Sequence, residues 1–156
     1  MKAGFLPAIL MVVFSACQQG TEYHTVYDID DYWRSSAPLT FRISIPDSVS
    51  GYTINCDIRN TSDYEWSRFF ASYTLTDSTG AVLDSTLAEM TLFDPVSGKP
   101  GGKAGIGDLY EHEFPIRKNF RFPHAGAYII RLNQMMRRDS LTGIASAGIR
   151  LERTVQ

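Results

Sequence analysis

The chain has 156 residues, of which 44% are hydrophobic and 21% are charged, and its formal net charge is −2. This composition is that of a globular protein without low-complexity tracts or internal repeats, and the length suits one domain with a substantial core. The slightly acidic balance argues against nucleic-acid binding, which requires a basic surface.

The first 17 residues predict a lipoprotein signal. Met1 and Lys2 provide a positive start, residues 5–14 form an apolar run (FLPAILMVVF), and small residues precede Cys17. Ten apolar residues rise only about 15 Å as a helix, which is too short for a bilayer core of about 30 Å. The arrangement resembles the bacterial lipoprotein signal, in which the cysteine is acylated and becomes the new first residue. An ordinary signal peptide with an incidental cysteine is the alternative.

We therefore expect a signal peptide over residues 1–16 and lipid attachment at Cys17. The mature chain, residues 17–156, is then a single domain with a short tether over residues 17–22.

Alternation of apolar and polar residues predicts β-strands throughout the mature chain, because strand side chains point alternately to opposite faces. No segment has a convincing helical period. The strongly alternating segments are residues 39–45, 52–59, 69–76, 128–133 and 147–152, and the weaker ones are residues 22–29, 86–93 and 109–116.

Turn-forming residues separate these segments, at residues 46–51, 77–80 and 123–126. Antiparallel strands joined by short turns, without intervening helices, predict an all-β fold. We expect an antiparallel β-sandwich, immunoglobulin-like or jelly-roll-like, with about seven to nine strands in two sheets. Residues 94–107 are the longest stretch expected to be irregular.

Cys56 has no partner for a disulfide within the chain once Cys17 carries lipid. It shares the apolar face of its predicted strand with Ile54 and Ile58. The sequence therefore predicts a buried, inert thiol.

Charge is distributed unevenly along the chain. Residues 17–98 contain four basic and twelve acidic side chains, whereas residues 99–156 contain ten basic and five acidic ones. This asymmetry produces a functional electrostatic face only if the two halves stay apart in space, and interleaved strands would mix them.

The residues that could bind metal or phosphate do not match known spacings. Asp28, Asp30 and Asp31 lack the ligand series and central glycine of a calcium loop, so a solvated linker is expected. Strand geometry places His112 opposite Glu111 and Glu113, which matches no zinc site and indicates a solvated charged strand.

The glycine-rich residues 94–107 do not form a P-loop either. Only three residues separate Gly98 from Gly102, and Lys103 is followed by Ala104 rather than Ser or Thr. A nucleophile motif of the Gly-x-Ser-x-Gly type is also missing. The sequence therefore predicts no cofactor, no metal and no catalytic residues.

Surface recognition is the remaining function. Aromatic side chains in loops bury large areas at low entropic cost, and arginine bonds carboxylates or phosphates bidentately. Trp33 is expected to plug one end of the sandwich. The candidate partner-binding residues are Tyr64, Trp66, Tyr110, Arg137 and Arg138.

A series of short motifs recurs in a characteristic order behind the signal. In sequence they are Trp33 after the acidic residues 28–31, then residues 39–47, 58–64, 75–80, 105–110, 120–128, 134–144 and 148–151. From about residue 23 to residue 153, the chain resembles the gliding motility lipoprotein GldH family of bacteroidete bacteria.

The resemblance implies an envelope lipoprotein needed for gliding, a motility tied to the type 9 secretion machinery, with no assigned catalytic residues. We expect a lipid-anchored, non-enzymatic component or accessory of that machinery. Its partners would be the membrane and other envelope motility or secretion proteins. Gln18, in place of an aspartate after the cysteine, favours the outer membrane, facing the periplasm. A ligand- or glycan-binding sandwich is the alternative.

Overall fold

The computed structural model describes residues 20–154, so the signal segment and Cys17 lie outside the described residues. Within residues 20–154 the chain forms eleven strands and no helix. In order they are β1 Thr21–Asp28, β2 Trp33–Arg34, β3 Leu39–Ile45, β4 Gly51–Thr61, β5 Arg68–Asp77, β6 Val82–Thr91, β7 Lys103–Ala104, β8 Leu109–Phe120, β9 Gly126–Gln134, β10 Ser140–Leu141 and β11 Ile144–Thr154.

The long strands form two antiparallel sheets. The five-stranded sheet has the order β1-β11-β4-β8-β7, and the four-stranded sheet has the order β3-β9-β5-β6. The short strands β2 and β10 pair with each other. The predicted all-β sandwich is confirmed. The strand count slightly exceeds the prediction because β2, β7 and β10, each of two residues, escape detection as alternating segments.

The core lies between the sheets and consists of the side chains that alternation assigned to the inner faces. The predicted segment 39–45 coincides with β3, where Phe41, Ile43 and Ile45 are buried and the residues between them are exposed. Cys56 is fully buried on β4, and this burial raises the pKa of its thiol. The prediction of a buried thiol is confirmed.

The two halves of the chain interleave, so the charge asymmetry in sequence does not become two separate faces. β4 lies between β11 and β8. Arg150, from the second half of the sequence, contacts Asp57, from the first half, at 2.9 Å. Arg153 contacts Glu22 at 3.0 Å in the same way. Basic side chains from the second half therefore neutralise acidic ones from the first.

Residues 94–107 are more ordered than predicted. The carboxylate of Asp94 accepts hydrogen bonds from the backbone N–H groups of Val96 and Ser97, at 3.0 and 2.6 Å. Phe93 forms a β-bridge with Pro100, and β7 pairs with the start of β8. A side-chain-capped turn and a short hairpin replace the irregular loop that was expected.

The strands give the sandwich two distinct ends. Thr21 pairs with Glu152, and β4 begins at Gly51 beside Thr154, so these residues mark one end. β4 finishes at Thr61, and the segment from there to β5 therefore leaves from the opposite end. We call these the Thr21 end and the Thr61 end.

Replacing Cys56 with alanine should lower the free energy of unfolding by about 1–2 kcal/mol, because the missing sulfur leaves a small cavity. Chemical denaturation with a fluorescence readout measures this loss, and function should persist at permissive temperature. Rapid labelling of Cys56 in the folded protein by a polar thiol reagent would contradict its burial.

Candidate binding cleft

A cleft of about 540 Å³ opens at the Thr61 end, beside the four-stranded sheet. It has an apolar floor and two arginines at its rim. Its lining residues are Trp66, Phe70, Leu87, Met135, Met136, Arg137 and Arg138. Three of the five candidate partner-binding residues, Trp66, Arg137 and Arg138, therefore come together in space.

A buried amide shapes the loop that carries the arginines. Gln134, the last residue of β9, is fully buried. Its Nε2 donates to the Arg138 carbonyl oxygen at 2.8 Å, and its Oε1 accepts from the Met136 backbone N–H at 2.9 Å. These two bonds satisfy the amide inside the fold and hold residues 135–138 as a compact turn at the cleft.

Trp66 forms one wall of the cleft and is partly buried. The Arg138 guanidinium lies over its indole ring, 5.7 Å from the ring centroid, a distance suited to a cation–π contact. The Tyr64 ring meets Trp66 edge-on at 5.4 Å. Trp66 is therefore held in place from two sides while part of its surface stays open to a partner.

Tyr64 does not occupy the exposed position expected of a partner-binding residue. It is only 4% exposed, and its hydroxyl donates to the Arg68 carbonyl oxygen at 2.9 Å. The backbone of Gly143, at φ 82°, packs so closely on Tyr64 that a Cβ there would lie 2.7 Å from the Tyr64 Cα. Tyr64 packs against Trp66 and supports it, so its burial disfavours the direct contact with a partner that was predicted for it.

Tyr110 lies away from the cleft, on β8 of the five-stranded sheet. It is partly buried, and its ring meets Phe93 edge-on at 5.8 Å. This contact supports Phe93, which pairs with Pro100 through a β-bridge.

Trp33 fills one end of the sandwich as expected. It is 3% exposed, and its Nε1 donates to the Ala37 carbonyl oxygen at 3.0 Å.

The apolar residues of the cleft were not predicted. Leu87 is 59% exposed and Met135 is 50% exposed, although both are large apolar side chains. Phe70 and Leu87 occupy strand positions where alternation predicts a polar residue. This departure from the pattern could have indicated an apolar patch on the outer face. Adjacent exposed apolar side chains are typical of a contact surface.

His112 is buried rather than solvated, which corrects the prediction for this strand. It is 5% exposed, its Nε2 lies 2.8 Å from the Asn60 Oδ1, and its ring stacks on Phe114. The segment before β7 covers the ring, and a Cβ at Gly102 would approach it to 2.8 Å. Burial lowers the pKa of His112.

Glu111 and Glu113 point away from His112 to the outer face, as strand geometry predicted. There they contact Arg59 at 3.3 Å and Arg150 at 3.0 Å. Among residues 20–154, no group of three or more His, Cys, Asp or Glu side chains is arranged to hold a metal ion.

The protonation of His112 should make stability depend on pH. Because its pKa is lowered on folding, the unfolded chain binds more protons, and stability should fall as the pH drops below about 6.5. The His112→Gln variant should lose part of this slope, measured as melting temperature between about pH 7 and pH 5. An unchanged slope in His112→Gln would contradict the assignment.

The fold defines a β-sandwich protein with an apolar, arginine-rimmed cleft at one end. The chain belongs to the GldH lipoprotein family, whose family model matches residues 21–151. It is therefore a lipid-anchored envelope protein. None of residues 20–154 forms a helix long and apolar enough to cross a membrane.

Two relatives match nearly the whole chain. A gliding motility lipoprotein GldH homolog of Christiangramia forsetii is 27% identical over 96% of this chain and 94% of its own. The gliding motility lipoprotein GldH of Flavobacterium johnsoniae is 22% identical over 97% of this chain and 96% of its own.

Among solved structures, the VP2 subviral particle of infectious bursal disease virus matches 94% of this chain and 37% of the viral chain. Its TM-score is 0.37 at 19% identity, which is too low to support any conclusion.

Proposed function

We propose that this protein is a non-enzymatic component or accessory of the gliding motility and type 9 secretion machinery, and that it acts by docking a partner protein in the cleft. The names of its relatives support the motility assignment. The convergence of Trp66, Arg137 and Arg138 on one exposed apolar floor is the single observation that carries the docking assignment.

The charges at the rim favour a partner with carboxylates. Neither Arg137 nor Arg138 forms an ion pair within the described part of the chain, and no acidic side chain lines the cleft. Both arginines are exposed. A guanidinium beside apolar surface bonds a carboxylate bidentately while its neighbours exclude water. We propose an acidic partner segment with apolar side chains.

The position of the cleft suits this role if Cys17 carries the lipid. Three residues lie between Cys17 and Thr21, and the four Cα–Cα steps that join them span at most about 14 Å. The Thr21 end then lies next to the bilayer. The strands of the five-stranded sheet extend the domain by about 35 Å from there, since each strand residue rises about 3.3 Å. The cleft is presented at the far end, away from the lipid surface.

We place the protein in the outer membrane, facing the periplasm, on the basis of Gln18 and the single acidic Glu22 after the cysteine. In that compartment, the distal cleft would meet envelope proteins that extend from the inner membrane or lie within the periplasm.

Alanine substitution of Trp66, or of Arg137 and Arg138 together, should impair gliding or type 9 secretion, because interface energy concentrates in such residues. Colony spreading and secreted-protein levels provide the readout, and abundance and melting temperature should stay near wild type. The control is Lys118→Ala with Arg121→Ala, which removes the same charge from exposed positions at the Thr21 end. Full function in both cleft variants would contradict the docking assignment.

Substituting Cys17 with alanine should abolish labelling by an alkyne fatty acid and release the protein into the soluble exported fraction. The physical reason is that the thiol is the acceptor for the lipid. Cys56→Ala is the matched control and should remain labelled, since Cys56 is buried in the core. Persistent labelling of the Cys17→Ala protein would overturn the assignment of the anchor.

A further inference from the structure

We infer that the free edge of β6 receives an extended segment of the partner protein as an added β-strand, an inference that rests on the proposed docking function. β6 is the last strand in the order β3-β9-β5-β6, and none of the described residues forms a strand on its outer side.

The hydrogen-bond register shows which backbone groups of β6 are free. The Phe70 carbonyl oxygen accepts from the Met135 N–H at 2.8 Å, so Phe70 bonds toward β9 and not toward β6. Phe70 and Ser72 lie opposite Glu89 and Leu87. Because bonding directions alternate along an antiparallel pair, the N–H and C=O groups of Ser85, Leu87 and Glu89 point away from β5.

Two of the other edges, β8 and β3, carry protective features that β6 lacks, whereas β1 also contains no proline, lysine or arginine. β8 contains Pro115 and is covered at its start by β7. β3 is approached by β1, where the Tyr27 hydroxyl donates to the Thr40 carbonyl oxygen at 3.1 Å. β6 contains no proline, lysine or arginine. Natural sheets usually block a long edge with such residues, so an unblocked edge is available for pairing.

The charges on β6 are already neutralised. Asp84 is bonded by Arg117, with Nη2 to Oδ1 at 2.9 Å, and Glu89 is contacted by Arg68 at 3.0 Å. The stretch Ser85, Thr86, Leu87 and Ala88 between them has no charge. Electrostatic repulsion therefore does not keep a second strand away.

Apolar surface flanks the edge on both sides. On the outer side, Leu87 and Phe70 belong to the cleft. On the inner side, a groove of about 220 Å³ separates β6 from β8 and is lined in part by Ala88, Phe114 and Ile116. An added strand would point alternate side chains toward the cleft and toward this groove, as strand geometry requires.

Two contacts limit the accessible length of the β6 edge, and they therefore limit the length of the strand that can be added to it. The Arg117–Asp84 pair closes the gap between the sheets at one end, and the Phe93–Pro100 bridge closes it at the other. The occupant is about five residues long, at a rise of about 3.4 Å per residue. It has apolar side chains at alternate positions. If it runs antiparallel to β6, its amino end lies beside Arg137 and Arg138, and acidic residues belong there.

The genetic test compares two substitutions at one position. Leu87→Pro removes an N–H that faces the partner and leaves the bonds to β5 intact, as proline permits on an edge strand. Leu87→Val keeps the N–H. With melting temperatures near wild type, Leu87→Pro should reduce gliding or secretion at least tenfold relative to Leu87→Val, which measures the loss caused by changing the cleft side chain alone. If Leu87→Pro lowers the melting temperature, Leu87→Lys replaces it as an edge-blocking variant that keeps the backbone.

The direct test uses the full mature chain carrying Cys17→Ala and a synthetic capped decapeptide. The peptide has two glutamates at its amino end followed by alternating valine and threonine. Hydrogen exchange at the amides of Ser85, Leu87 and Glu89 should slow at least tenfold when the peptide is added. The same peptide N-methylated at alternate residues should have no effect, and neither peptide should protect Leu87→Pro.

Each contrary result overturns a defined part of the inference. Full function of a stable Leu87→Pro protein, together with loss in Trp66→Ala, rejects strand addition and leaves the docking function standing. Protection that grows with protein concentration without peptide identifies a second copy as the occupant. Spectral shifts at Trp66 without slowed exchange restrict binding to the cleft, and no effect of the peptide rejects the occupant chemistry assigned here.

Discussion

The hydrophobic core between the two sheets determines where every other feature of this protein lies. β4 runs through the middle of the five-stranded sheet, and its inward side chains Tyr52, Ile54, Cys56 and Ile58 are fully buried. Because strand side chains alternate, burying one face fixes which residues reach the outer faces and the ends. The ion pairs of Arg150 and the cleft around Trp66 occupy positions that this core leaves open.

The cleft depends on polar groups that the core has enclosed. Gln134 is buried at the end of β9, so its amide must find partners inside the fold, and it finds them in Met136, Arg138 and Trp33. Tyr64 is buried beneath Trp66 and anchors it through its ring and its hydroxyl. The walls of the cleft are thus held by buried polar groups that have found hydrogen-bond partners.

Local pattern predicted the strands and the burial of Cys56 because both depend on the alternation within one segment. The period of two located β3 residue for residue and indicated the approximate ranges of the other long strands. It also placed Glu111 and Glu113 on the opposite face from His112. The burial of His112 was not predictable, because it depends on Asn60 of β4 and on how the segment before β7 folds back, bringing Gly102 against the ring.

The same limit applies to the candidate site. Residue type suggested Trp66, Arg137 and Arg138, but their meeting depends on which strand ends share one end of the sandwich. Tyr64 and Tyr110 look alike in sequence, since each lies near a loop, yet packing buries one and places the other against Phe93. Leu87 and Phe70 were detectable as apolar residues at positions where alternation expects polar ones. The sequence alone does not show that the two side chains lie together in one cleft.

The pairing of β1 with β11 has a mechanical consequence. β1 is the strand nearest the proposed lipid anchor at Cys17, and seven of its residues are paired with the last strand of the domain. A pull between a lipid at the amino end and a load at the Thr61 end acts along these strands. Antiparallel hydrogen bonds lie perpendicular to that direction, so they bear the force together in shear rather than one after another. An anchor at Cys17 would therefore load the sandwich in shear, a geometry in which these hydrogen bonds share the tension.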